Sequence, residues 1–310
     1  MQIYSFIIKL VDKLLNSTAT GATGTSNYDA GQLYAITTTD ENGHTSIQYK
    51  DKEGHMVCKK VQSAINPVTS APIYIATYYV YDDLGNLTYV IPPIPATTAY
   101  PTSFAETGDI FMNFIYGYHY DQRNRLTEKK IPGKGWEFIV YNTLDQPIYT
   151  QDAIQRSQSP QVWTFMKYDA LGREVITGLW SSGTLAGSAA DGNMVSPSRT
   201  LEQWLVSWAK GQTVLWVTRD NTTATGYTTA NPTGKVLTIN YYDDYTFTGQ
   251  PKAFVTPDGA STMTTGLLTA TKTTVLNTLT NAAPDMLWMV HHYDDLGRVT
   301  QTYAQHSLDT

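Results

Sequence analysis

One phrase returns along this chain: tyrosine, aspartate, two variable residues, glycine, a polar residue, a branched apolar residue. It reads Y-D-D-L-G-N-L at 81–87, Y-D-Q-R-N-R-L at 120–126, Y-D-A-L-G-R-E-V at 168–175 and Y-D-D-L-G-R-V at 293–299. Looser copies begin at Tyr49, Tyr141 and Tyr242. A phrase that recurs in this way makes the chain an array of one supersecondary element.

Each copy predicts one β-hairpin. Tyr81, Tyr120, Tyr168 and Tyr293 end a strand, because an aromatic side chain fits a pleated, half-buried surface. Asp82, Asp121, Asp169 and Asp294 open the turn by accepting a hydrogen bond from backbone two residues on. Gly85, Gly172 and Gly297 supply the positive φ of a tight hairpin, and Asn124 takes that place in the second copy. Arg125, Arg173 and Arg298 then start the return strand, facing out while the next apolar residue faces in. The cleanest unit runs from Tyr120 to Tyr141, a period of about 21 residues. It holds strands at 125–131 and 136–141 around the turn P-G-K-G at 132–135.

Composition agrees with strands. Charged residues make up only 15%, and there are 22 tyrosines. The net charge of −6 argues against a nucleic-acid partner, which demands a basic face. The lone Cys58 lies on a predicted strand at 56–61 and reads as a small buried hydrophobe. No apolar run is long enough to span a membrane.

The N-terminus lacks the basic start of a signal peptide. Ile3, Ile7, Leu10, Val11, Leu14 and Leu15 follow a helical period, which predicts an amphipathic helix. A small-residue linker follows at 17–26. The domain organisation expected is 1–26 as helix and linker, then 27–310 as one β-sheet domain with inserts near 94–110 and 181–211. Further strands are predicted at 32–38, 45–50, 73–81, 87–91, 111–120, 162–168, 174–180, 214–218, 236–242, 253–256, 268–275 and 287–293. A helix is predicted at 200–210, capped by Thr200 and closed by Gly211. The fold class is all-β: chained antiparallel hairpins forming a section of a curled sheet, with a short N-terminal helix and one inserted helix.

The repeated phrase resembles the YD repeat of the Rhs family. Longer runs carry the same resemblance toward Rhs repeat proteins of the Bacteroidetes type: Y-K-D-K-E-G-H at 49–55, Y-V-Y-D-D-L-G-N-L-T-Y-V-I-P-P at 79–93, R-N-R-L-T-E-K-K-I-P-G-K-G-W-E-F-I-V-Y at 123–141 and N-Y-Y-D-D-Y at 240–245. The resemblance covers residues from about Tyr28 onward. It implies a hollow shell, wound from a continuous spiralling β-sheet, that encloses a C-terminal and often toxic domain. Teneurins and insecticidal Tc-toxin subunits use a similar shell. The Asp-Pro and Gly-Arg-Phe core signature of the family is missing, so the chain is expected to be a fragment or truncated relative lacking core and effector. Self-cleavage is not carried over.

Candidate chemistry is sparse. His291 and His292 beside Asp294 and Asp295 have metal-ligand residue types, but adjacent strand residues point to opposite faces. Asp82–Asp83 and Asp243–Asp244 lack the alternating ligands of a calcium loop. Asp258 and Gly259 form a turn phrase, and His119 reads as a structural strand end. No nucleophile elbow, phosphate loop or dinucleotide fingerprint is found. The expectation is a non-enzymatic structural module with no cofactor or metal. Its expected partners are the remainder of a shell and an enclosed effector. It would be bacterial and secreted or at the cell surface, and either would self-associate through open sheet edges or would have its helices and inserts cover them. The alternative is an adhesin module binding surface carbohydrate or protein through exposed Tyr and Trp.

Overall fold

A computed structural model describes residues 14–18, 21–26, 28–95, 101, 103–181, 197–228, 234–247, 249, 260–281 and 284–306. Side chains are described from residue 28 onward, excluding 197–200.

The strands in chain order are β1 (Leu14–Thr18), β2 (Gly21–Ser26), β3 (Tyr34–Thr39), β4 (Thr45–Lys50), β5 (Met56–Ile65), β6 (Pro72–Tyr81), β7 (Leu87–Ile91), β8 (Ser103–Ala105) and β9 (Tyr116–Tyr120). They continue as β10 (Leu126–Ile131), β11 (Gly135–Tyr141), β12 (Pro147–Gln151), β13 (Val162–Tyr168), β14 (Glu174–Ser181), β15 (Lys235–Tyr242), β16 (Leu268–Thr274), β17 (Met286–Tyr293) and β18 (Val299–Ala304). Three α-helices are described: α1 (Asp109–Phe114), α2 (Ala153–Ser157) and α3 (Pro197–Lys210), with a short 3-10 turn at Leu276–Thr278. The fold is all-β. One open sheet of 15 strands runs in chain order from β3 to β18, skipping only β8, which joins β1 and β2 in a small three-stranded sheet. The chain divides into two compact units, Met1–Glu137 and Phe138–Thr310, with the boundary inside β11.

Antiparallel neighbours in chain order place successive connections at alternate ends of a sheet. In the N-terminal unit the three tyrosine–aspartate turns (β4–β5, β6–β7, β9–β10) therefore share one end, and the long connection carrying β8 and α1 lies at the other. In the C-terminal unit the turns after β11, β13, β15 and β17 share one end, while the connections holding α2 and α3 leave from the opposite end. The cause is in the sequence: the phrase recurs once per hairpin, so it always ends a strand of the same direction.

The cores follow strand alternation. In the N-terminal unit Val80, Tyr89, Ile91, Ile94, Phe111 and Ile115 form one cluster, and Tyr49, Val57, Cys58 and Ala76 another. Cys58 is fully buried, as its strand position predicts. In the C-terminal unit Trp163, Phe165, Val175, Ile176 and Trp180 are buried on β13 and β14. Leu201, Leu205 and Ala209 of α3 are buried too, at the four-residue spacing of one helical face.

Several local expectations fail for stateable reasons. The linker expected at 17–26 lies largely in β1 and β2, because its threonines and small residues pair with each other and with β8. The helix expected over the first 15 residues falls, up to residue 13, outside the described residues, and Leu14 and Leu15 belong to β1. The strand expected at 111–120 begins only at Tyr116. The preceding residues form α1, which turns Phe111 into the core. The expected strand at 214–218 is irregular chain, followed by an isolated bridge from Arg219 to Tyr227. The Val217 amide donates to the Tyr168 carbonyl at 2.9 Å, but the segment adds no strand to β13, both of whose edges are taken by β12 and β14. The inserted helix begins at Pro197, earlier than Thr200, which uses proline's tolerance for a first helical turn. The expected strand at 253–256 and the turn residues Asp258 and Gly259 lie outside the described residues.

Candidate functional site

Each tyrosine–aspartate turn is built the same way. The Asp82 amide donates to the Asn86 carbonyl at 2.9 Å, and the Gly85 amide returns to the Asp82 carbonyl at 3.0 Å. Asp82 Oδ1 accepts from the amides of Leu84 and Asn86, at 3.0 and 2.8 Å. Asp121, Asp169 and Asp294 repeat this with the second and fourth residues after them. The other carboxylate oxygen is held by the side chain four residues on: Asn86 on Asp82, then Arg125, Arg173 and Arg298 on Asp121, Asp169 and Asp294. Gly85, Gly172 and Gly297 take φ of +80°, +78° and +74°, and Asn124 takes +57°. Burial works against the charge of Asp121, yet Arg125 and the turn amides hold its carboxyl below the usual range.

The tyrosines have a second task that the repeat phrase does not display. Each hydroxyl donates to the carbonyl of the first residue in the return strand of the preceding hairpin. Tyr81 reaches Met56 at 3.2 Å and Tyr120 reaches Leu87 at 3.0 Å. Tyr168 reaches Pro147 at 2.8 Å, Tyr242 reaches Glu174 at 3.2 Å, and Tyr293 reaches Leu268 at 2.6 Å. The register of each hairpin shifts at or beside its tyrosine, a bulge that disrupts the ladder there. Thr88, Thr127, Thr269 and Thr300 answer it, donating to the carbonyls of Val80, His119, Tyr241 and His292. Replacing Tyr168 by Phe is expected to cost about 1 kcal/mol, the net worth of one hydrogen bond. Replacing all five tyrosines is expected to cost several times that, read as a falling midpoint in urea unfolding.

Departures from the pattern are informative. After β15, Asp243 Oδ1 accepts from the amide of Gly266, across a long insertion, at 2.7 Å. Arg173 holds both oxygens of Asp243, at 2.8 and 2.7 Å, and keeps its carboxyl below the usual range. Asp244 accepts from the Thr246 amide and faces Arg219 at 3.4 Å. These carboxylates are turn elements. Among the described residues, the group of three metal-type ligand atoms within 4.8 Å of one another is Asp51, Glu53 and His55. It sits in the first tyrosine-led turn, and Asp51 Oδ1 already accepts two turn amides. His291 and His292 diverge: His291 bonds the Thr302 hydroxyl at 3.0 Å, whereas His292 is buried.

The densest polar constellation is one that the spacing of residues does not reveal. His119 on β9 lies between two carboxylates, Nε2 at 2.6 Å from Glu106 Oε1 and Nδ1 at 2.6 Å from Glu128 Oε2. The Tyr89 hydroxyl donates to Glu106 at 2.8 Å, and the imidazole stacks on Trp136 with centroids 4.6 Å apart. Burial lowers the basicity of this imidazole, but the hydrogen bonds and charges of both glutamates outweigh it and raise its pKa to about 9. Beside it Lys130, fully buried, donates to the carbonyls of Phe111 and Ile115 and lies over the Phe111 ring. It thereby closes the C-terminal end of α1, which its own sequence leaves without a basic residue. Burial pulls Lys130 down to about 8 against the charge of Glu106. Both nitrogens of His119 are occupied by carboxylates and Lys130 is committed to carbonyls. The group fastens the connection carrying Glu106 and α1 onto β9 and β10.

The C-terminal unit contains a small open cavity of about 40 Å³ lined by Ile148, Met166, Tyr168, Trp208, Leu215 and Trp216, among others. Trp216 is 46% exposed at its rim.

No protein-family model and no curated protein matches the sequence. Among solved structures, the chain is similar to one in the Tc holotoxin pore of Photorhabdus luminescens, at 11% identity and a TM-score of 0.44 over 94% of this chain. It is also similar to a chain of the TcdB2–TccC3 complex, at 12% identity and a TM-score of 0.35 over 96%, and to one of TcdB2–TccC3–Cdc42, at 13% and 0.36 over 90%. The chain spans 12% to 14% of the length of those chains.

Proposed function

We propose that this chain is a non-enzymatic structural module, a section of a β-sheet shell of the Rhs type that encloses or delivers a C-terminal effector. The observation that supports this reading most is what the repeated polar groups do. In each full copy the Asp, the residue four after it and the Tyr hydroxyl bond to backbone or to each other, within a hairpin or between neighbours. The repeat thus invests its chemistry in extending a sheet. The sequence resemblance to YD repeats, including the long runs at 79–93 and 123–141, supports the same reading. Its partners are then the remainder of the shell and the enclosed effector, with the open edges of β3 and β18 available for self-association. The protein acts outside the bacterial cytoplasm, secreted or at the cell surface. No described helix is long and apolar enough to cross a membrane.

Protease protection tests it. The downstream tail is expressed with the repeat region intact and with the segment corresponding to this chain deleted. The tail is expected to survive a nonspecific protease at least about tenfold longer with the segment, as when cleavage needs opening of a closed state. Equal survival sinks encapsulation. A second reading, a carbohydrate-binding adhesin, is favoured by one observation, the exposed Trp216 beside Trp208 and Tyr168 at an open cavity. Saturable binding on a glycan array, lost in Trp216→Ala, would favour it over the shell.

A further inference from the structure

Two histidines in this chain are buried by opposite means. His119 carries a carboxylate on each nitrogen. His292, on β17, is 1% exposed, and neither of its ring nitrogens has a hydrogen-bond partner. Its ring fills an aromatic slot instead. Tyr245 stacks on one face, with centroids 4.9 Å apart and planes 29° apart, and Tyr303 of β18 meets it edge-on at 5.7 Å. Such a slot accepts a neutral ring and offers no acceptor to either N–H of a charged one.

The charged groups around it do not change this. On β17 itself, His291 points away to Thr302, and its charge, after burial, is the next influence holding His292 below the usual histidine range. On the loop that carries Tyr245, Asp243 is held by Arg173 and Asp244 faces Arg219. On β16, Lys272 lies over Trp288, 4.8 Å from its centroid. The strand β18, V-T-Q-T-Y-A, carries no charged residue. The Tyr293 hydroxyl is spent on the Leu268 carbonyl. Among these groups none is a carboxylate free to receive an imidazolium.

We propose that His292 is an acid-released latch: a proton from solvent drives its imidazole out of the Tyr245–Tyr303 slot and loosens β18 and the loop bearing Tyr245 from β17, which stays paired with β16. Neither part that would move belongs to the β16–β17 ladder. Tyr245 is tied through its hydroxyl to the His291 carbonyl at 3.1 Å, and among the described strands β18 pairs with β17 alone. The sign follows from the neutral slot. A histidine whose folded form resists protonation contributes its full stability above the unfolded value of about 6.5, and that stability falls as pH drops below it toward the folded value. The latch is shut at neutral pH and opens on acidification. It acts on the unit that lacks the glutamate-bound histidine.

Hydrogen exchange on the full chain at about pH 7.5 and about pH 5, corrected for intrinsic rates, reads the latch directly. In the wild type, amides of β18 and of the β17 residues it pairs with are expected to exchange about tenfold faster at the lower pH. In His292→Phe, which keeps an aromatic ring and cannot be protonated, this acceleration is expected to vanish. His291→Gln is expected to retain it. Equal acceleration in His292→Phe, or none in the wild type, overturns the proposal. If His292→Phe does not fold, an NMR titration of the wild-type imidazole decides. A midpoint below the ordinary value of about 6.5 supports the latch, and one at or above it rejects it.

Discussion

Replacing His119 by Leu is expected to destabilise the N-terminal unit by about 3–5 kcal/mol at neutral pH, the range seen when one partner of a buried ionic group is removed. The imidazolium is the cation between Glu106 and Glu128, whose side chains are only 10% and 8% exposed. Without it two carboxylates face each other in low dielectric. The triple replacement Glu106→Gln, His119→Leu, Glu128→Gln is therefore expected to be more stable than His119→Leu alone, because no unpaired charge remains. The wild type should also show an alkaline signature. A pKa raised from about 6.5 to about 9 means that this histidine contributes fully below the first value. Its contribution is lost as pH rises through the second. The loss amounts to about 3 kcal/mol at most, and the slope is absent in His119→Leu. Urea unfolding followed between neutral and alkaline pH tests both statements; an unchanged slope in the variant would show that His119 is not the titrating group.

Gly178→Ala is expected to cost about 3 kcal/mol, the upper end for overpacking a core. Gly178 lies within β14 directly opposite Phe165. A Cβ there would meet Phe165 Cζ at 2.4 Å and the backbone carbonyl oxygen of Lys235 at 2.5 Å. The ring has little room to withdraw, since Phe165 is 1% exposed, and the Lys235 carbonyl belongs to the neighbouring strand β15. The glycine is there for space. Gly43 is the contrast: it takes φ of +81° with nothing near its absent side chain, so Ala there costs only about 1 kcal/mol, the backbone share. Thermal unfolding of both variants separates the two causes. Similar losses at the two sites would mean that the sheet yields around Phe165.

The hairpins are legible in the sequence because their signals are local. Asp, then Gly or Asn three residues later, then Arg or Asn names a turn whose hydrogen bonds all close within five residues. The all-β class follows from repeating it. What the sequence hides is every partnership that needs the sheet order first. The tyrosine hydroxyls bond a strand belonging to the previous hairpin, so a phrase centred on the turn displays the ring and not its acceptor. The run F-M-N-F-I-Y-G-Y-H-Y at 111–120 looks like one aromatic strand. Its first part becomes α1 because Lys130, a strand away, caps the helix and Phe111 packs against Tyr89 and Trp136. Likewise His119 reads as a plain strand end until the connection bearing Glu106 folds back on it. The apolar run at 214–218 has strand composition but no free strand edge on β13.

The central claim is that these hairpins are one stretch of a wall built around a cargo. An electron cryomicroscopy reconstruction of the protein as its native source produces it tests that most directly. The account predicts that β3 and β18 each pair with further hairpins of the same kind, in a closed sheet surrounding density for a tail. A sheet that stops at either strand, with its edge in solvent and nothing enclosed, would contradict it.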